Sequence, residues 1–138
     1  MSDLVRISMS LGQELLGQFD RFVQEQGYPT RSEAIKALMR RGLDEQRWAR
    51  NQFVAGSITL VYDHHRPGIV RKLMDVQHDY GSVIVSTQHI HLDHDNCLEI
   101  VVVKGKAARI RALVTDLKAA KGLKHSSLVM TSAGENLA

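Results

Sequence analysis

The sequence has a single cysteine, two prolines in 138 residues, and no apolar run approaching the length of a membrane helix. One cysteine, Cys97, excludes an internal disulfide framework and fits a reducing cytoplasm, where we expect the protein to act. Two prolines and ten glycines exclude collagen-like, proline-rich and low-complexity architectures. The longest apolar runs, Ile58-Thr59-Leu60-Val61-Tyr62 and Ile100-Val101-Val102-Val103, fall far short of the ~20 residues a spanning helix needs. No membrane association is expected. The start, Met1-Ser2-Asp3-Leu4-Val5-Arg6, lacks the basic and apolar regions of a signal peptide. Charge is nearly balanced at +3, and residues 1–50 carry eight basic against seven acidic side chains. An anionic partner must therefore be argued from where the charges sit. What the chain does have in number is histidine, seven in all.

The first third reads as one strand and two helices. Val5, Ile7, Met9 and Leu11 alternate with Arg6, Ser8 and Ser10, the pattern of a half-buried strand. Ser10 is placed to cap a helix that carries Leu15, Leu16, Phe19, Phe22 and Val23 and ends at Gly27. Thr30 with Glu33 forms the sequence of a capping box for a second helix through Ala34, Ile35, Leu38, Met39 and Leu43. A lone strand leaves both its edges unpaired, and these apolar faces exceed what one chain can cover. The simplest remedy is a symmetric dimer whose N-terminal strands pair antiparallel, a ribbon-helix-helix (β-α-α) domain over residues 1–50. Residues 44–52 read as a fraying helix end and linker.

From Phe53 the texture changes. Strands are expected at 53–62, 82–92, 97–103 and 123–131, with helices from Pro67 to about Tyr80 and over 107–120. The order β-α-β-β-α-β is the ferredoxin-like split unit, here a second domain over residues 53–133 of an α+β chain.

Side chains two apart on a strand share a face, so His89 and His91 project together. Cys97 opens the next strand across a short turn, and Glu99 shares its face. Two imidazoles and a thiolate form a ligand set for a borderline-soft transition metal. A fourth ligand is expected, with His78 at the end of the preceding helix as the leading candidate. Blander readings exist, since a His-x-His pair can decorate a surface and a lone cysteine can act as a small hydrophobe. His64, His65 and His94 fall in turns and His125 on a strand, all expected to face solvent.

The segment Val76-Gln77-His78, followed by Thr87-Gln88-His89-Ile90-His91 and by Cys97-Leu98-Glu99-Ile100, resembles the nickel-responsive transcriptional regulators of the NikR family. Arg6-Ile7-Ser8-Met9-Ser10-Leu11 and Gly27-Tyr28-Pro29-Thr30-Arg31-Ser32-Glu33 are similar to that family's DNA-binding half. The resemblance implies a homotetramer, a dimer of dimers, with a central core of ACT-type domains flanked by two ribbon-helix-helix dimers. It also implies one Ni(II) per subunit in a planar site, with His89, His91 and Cys97 from one subunit and His78 from another. Planar coordination suits Ni(II) and Cu(II), whereas Zn(II) prefers a tetrahedron. Tyr62, Gln77 and Glu99 correspond to positions that orient the ligands. Two departures stand out: Ala37 replaces a carboxylate of an accessory cation site, and Arg66-Pro67 replaces a basic pair that touches the DNA backbone.

A two-stranded ribbon fits the major groove, where Arg6, Ser8 and Ser10 would meet base edges of a double-stranded operator. Arg31 and Ser32, at a helix N-terminus, suit phosphate anchoring, as does Arg66. The implied function is repression of nickel-uptake genes through a palindromic operator when nickel is bound. The alternatives are a regulator sensing copper or cobalt with the same ligands, or an ACT-type regulator sensing a small molecule. An enzyme is not expected, because the sequence offers no nucleophile–base pair or phosphate loop.

Overall fold

The computed structural model describes residues 3–135, so Met1 and Ser2 of the expected first domain lie outside it. The chain forms two compact units, one up to Leu43 and one over Asp44–Glu135.

In the first unit, α1 (Gln13–Glu25) and α2 (Arg31–Ala49) follow a segment, residues 3–12, without regular secondary structure. The expected N-terminal strand has no ladder, because strand pairing needs a second strand and the described chain places none beside it. Ser10 does not cap α1. Gly12 takes that place in extended conformation, with no side-chain cap, and its carbonyl accepts from Leu16 N at 3.1 Å. The far end of α1 is a Schellman turn: Tyr28 N donates to Val23 O and Gly27 N to Gln24 O, with Gly27 at φ +75°. Thr30 Oγ1 accepts from Glu33 N at 3.1 Å, the expected cap of α2.

The second unit is built on β1 (Phe53–Asp63), α3 (Ile69–Asp79), β2 (Ile84–His91), β3 (Asn96–Lys106), α4 (Ala107–Lys118) and β4 (Leu123–Thr131). The strands form one antiparallel sheet in the order β2-β3-β1-β4, the ferredoxin-like arrangement. Along β1 every second residue from Val54 to Tyr62 is buried, and along β3 every second residue from Cys97 to Gly105. These residues pack with Leu73 of α3 and with Ile110, Leu113 and Leu117 of α4 in one core.

Two details differ from the sequence reading. Pro67 does not begin α3: Gly68, at φ +83°, caps it, and helical geometry starts at Ile69. Nor is 44–52 a linker, since α2 continues to Ala49 and Trp48 is buried in the core of the second unit. Its indole Nε1 donates to Thr131 O at 2.9 Å. Gly56 makes room for this, because a Cβ there would sit 2.8 Å from Val129 O and 3.4 Å from the Trp48 ring. A single apolar residue in a polar run gives no periodic signal, so only packing reveals this anchor.

Candidate metal centre and nucleic-acid face

Register in the sheet decides which side chains meet. His91 pairs with Cys97 and His89 with Glu99 across β2 and β3, while Tyr62 pairs with Cys97 across β1 and β3. Directly paired residues of antiparallel strands share a face. His89, His91, Cys97, Glu99 and Tyr62 therefore lie on the face that α3 and α4 cover. Cys97 and Glu99 sit on an inner strand and are buried, whereas His89 and His91 sit on the edge strand and are exposed.

The Glu99 carboxylate, 1% exposed, is the hub. Tyr62 Oη donates to its Oε2 at 2.8 Å, and Gln77 Nε2, from the last turn of α3, to its Oε1 at 2.6 Å. Thr87 Oγ1 in turn donates to Gln77 Oε1 at 3.0 Å. His89 reaches into this network, with Nδ1 3.5 Å from Tyr62 Oη and Nε2 3.7 Å from Glu99 Oε1. Burial, and then the Glu99 carboxylate, hold the Tyr62 phenol protonated well above its ordinary range. A buried carboxylate is tolerable here because each oxygen accepts a short hydrogen bond.

Tyr62, Gln77 and Glu99, the residues expected to orient the ligands, are thus brought together with His89. Thr87 completes the chain and was missed. The signal was present, since Thr87, His89 and His91 are spaced by two. His78 is exposed beside Gln77 at the end of α3.

Among the described residues, His89, His91 and Cys97 do not form a group with all ligand atoms within 4.8 Å. His89 turns toward Tyr62 and Glu99, and the Cys97 thiol leans on Leu98 O at 3.9 Å. The donor set still fits a borderline-soft ion: two imidazoles and a thiol share a face, and a hydrogen-bonded carboxylate lies beside one ring. The groups that do meet the 4.8 Å spacing are Asp63/His64/His65 and His65/His94/Asp95, in the loops next to this face. His64 is half-buried, contrary to the expected exposure, whereas His65, His94 and His125 are exposed.

The expected DNA contacts are distributed differently. Arg6, Ser8 and Ser10 are exposed in the segment before α1, but so are their apolar neighbours, with Val5 82%, Ile7 69% and Met9 59% accessible. Met9 and Leu11 line an apolar groove of about 420 Å³ with Leu15, Phe19, Ile35, Leu38 and Met39. Ser32 is exposed at the start of α2. Arg31 is committed elsewhere: Nε and Nη2 grip both Asp20 oxygens at 2.7 and 2.8 Å, tying α2 to α1. The guanidinium holds the Asp20 carboxyl below its usual range. Contact with a phosphate would have to compete with this bidentate pair. Arg66 lies in the loop between β1 and α3, its N–H bonded to Asp63 O and its side chain seated on Gly122.

Residues 55–131 match the model of the NikR C-terminal nickel-binding domain. Proteins bearing the name nickel-responsive regulator match over nearly their full length. That of Syntrophus aciditrophicus is 53% identical over 98% of both chains. That of Pyrococcus abyssi is 50% identical over 98% of this chain and 99% of its own. An uncharacterized protein from Thermotoga maritima shares the fold of part of the chain, with a TM-score of 0.52 at 18% identity, covering 57% of this chain and 98% of that one.

Proposed function

The chain belongs to the nickel-responsive regulator family, which is regulatory rather than enzymatic, and on that premise we propose that it is a cytoplasmic repressor of nickel-uptake genes. It would bind a palindromic operator as a homotetramer when each subunit holds one Ni(II). The observation that carries the metal assignment is the pairing of His91 with Cys97 beside His89 on one face.

His89, His91 and Cys97 are the ligands from one subunit. His78, exposed at the end of α3, reaches the site of a neighbouring subunit. Of these four donors only the neighbour's His78 requires the assembled state, so a bound Ni(II) would bias the assembly through that one bond. The chain's own residues prepare this. Glu99 lies 3.7 Å from His89 Nε2 and would orient that ring, Tyr62 and Gln77 donate to Glu99, and Thr87 donates to Gln77. Gln77 adjoins His78, so the network reaches the segment that carries the fourth ligand.

The first unit supports the DNA half of the reading. Its exposed apolar row and groove fit a second copy of the same segment: two strands paired antiparallel would turn Val5, Ile7 and Met9 inward. Arg6, Ser8 and Ser10 would then face the major groove, whose width admits a two-stranded ribbon. Ser32 at the start of α2 and Arg66 would meet phosphate.

Titration of the full chain with Ni(II) tests the metal site. A thiolate-to-nickel charge-transfer band saturating at one ion per chain is expected, and Cys97→Ala should abolish the band and weaken binding by at least about 100-fold, the upper range for losing even an orienting partner of a ligand. Unchanged affinity in Cys97→Ala would overturn the assignment.

A further inference from the structure

We propose that Arg109 is a positioning residue for the fourth metal ligand: from α4 it closes the C-terminal end of α3 and so holds His78 in place independently of the metal. The inference rests on the reading of His78 as that ligand. His78 lies in the last turn of α3 and is exposed. The last turn of a helix lacks helical partners for its carbonyls and is prone to fraying. A ligand carried there adds the cost of ordering that turn to the cost of binding.

The turn is held on both sides of His78. Before it, Gln77 Nε2 donates to Glu99 Oε1. After it, Arg109 Nη2 donates to the Asp79 carbonyl oxygen at 3.1 Å, where a cation also meets the negative end of the helix dipole. The same guanidinium lies over the Tyr80 ring, 4.1 Å from its centroid, in a cation–π contact. Tyr80 is buried, and its Oη donates to Asp116 Oδ2. Arg109 and Asp116 stand two turns apart on α4, so one face of that helix grips the chain at Asp79 and Tyr80. Tyr80 N donates to Gln77 O, and its carbonyl accepts from Val83 N and Ile84 N at 3.0 and 3.2 Å. Tyr80 thereby ties the end of α3 to the start of β2, the strand of His89 and His91. Neither Arg109 contact involves a proposed ligand, so Arg109 acts through the backbone that carries His78.

Ni(II) titration of the full chain, together with amide hydrogen exchange of the metal-free protein, tests this. Arg109→Ala should weaken nickel binding by about tenfold, the lower range for losing an orienting partner of a ligand. Its charge-transfer band at saturation should be unchanged, because the donors are the same. Without metal, the amides of residues 78–84 should exchange faster, while those of β1 and β3 keep their protection. A double-mutant cycle separates positioning from general loosening: in the His78→Ala background, Arg109→Ala should leave nickel binding unchanged. Tyr80→Phe, which keeps the ring under Arg109 but loses the bond to Asp116, should show the same losses, smaller. Equal nickel affinity in wild type and Arg109→Ala, or a loss as large with His78→Ala as without it, would overturn the proposal. A wild-type chain without a Cys97-dependent band would instead overturn the metal reading itself, and this inference with it.

Discussion

The two units solve the problem of burial in opposite ways. The second unit buries a contiguous core running from Trp48 to Ala120, with helices over one sheet face. The first leaves α1 without a single buried residue and exposes Val5, Ile7, Met9 and Leu15 by more than half. Amphipathic patterning is clear in both, so pattern alone does not make a domain. A domain needs enough chain to cover its own apolar faces, and residues 3–43 supply one strand's worth of sequence and two helices. The proposed metal ligands accordingly sit where register is rigid, and the proposed DNA contacts sit where a second copy would complete the fold.

Separating the units gives the largest expected effect. A fragment starting at Asp44 should keep a cooperative unfolding transition, followed by circular dichroism. A fragment ending at Leu43 should lack one when dilute and gain helix as concentration rises. Concentration-independent folding of the short fragment would break the comparison.

Trp48→Ala should cost the second unit ~3–5 kcal/mol in denaturant unfolding, as for other large buried aromatics. A loss under 1 kcal/mol would return 44–52 to the status of a linker.

Arg6→Ala should weaken operator binding by ~1–3 kcal/mol, more on operator than on random DNA, with nickel affinity unchanged. An equal loss on both DNAs would make Arg6 a phosphate contact. Arg66→Ala should lower the salt slope of nickel-loaded binding by about one unit.

The smallest effect concerns alkaline pH. Tyr62 keeps its proton in the folded state above the ordinary phenol value of 10.0, whereas the unfolded chain loses it there. The folded state then binds more protons, so stability falls as pH rises above that value. Tyr62→Phe should flatten this decline in urea unfolding at alkaline pH, and an identical decline would exclude Tyr62 as its source.

Much of the second unit was legible beforehand. Leu123–Thr131 is a strand to the residue, and Ala107 begins α4 as expected, because the alternation of period two and the helical period are strong there. The same period placed His89 with His91 and Cys97 with Glu99. It did not find Thr87, which was legible but passed over, or Trp48, which has no periodic neighbours.

By itself, the sequence determined local choices: the Thr30 cap, the Gly27 turn, the strand faces and the types of the candidate ligands. Each depends on neighbours within a few residues, so the order of residues carries it. Only the tertiary structure decided that Glu99 is the hub joining Tyr62, Gln77 and His89, that Arg31 is taken up by Asp20, and that His65 stands beside His94 and Asp95. Those contacts join segments ten to thirty-seven residues apart. Their partners are chosen by sheet register and loop packing, which no local pattern encodes.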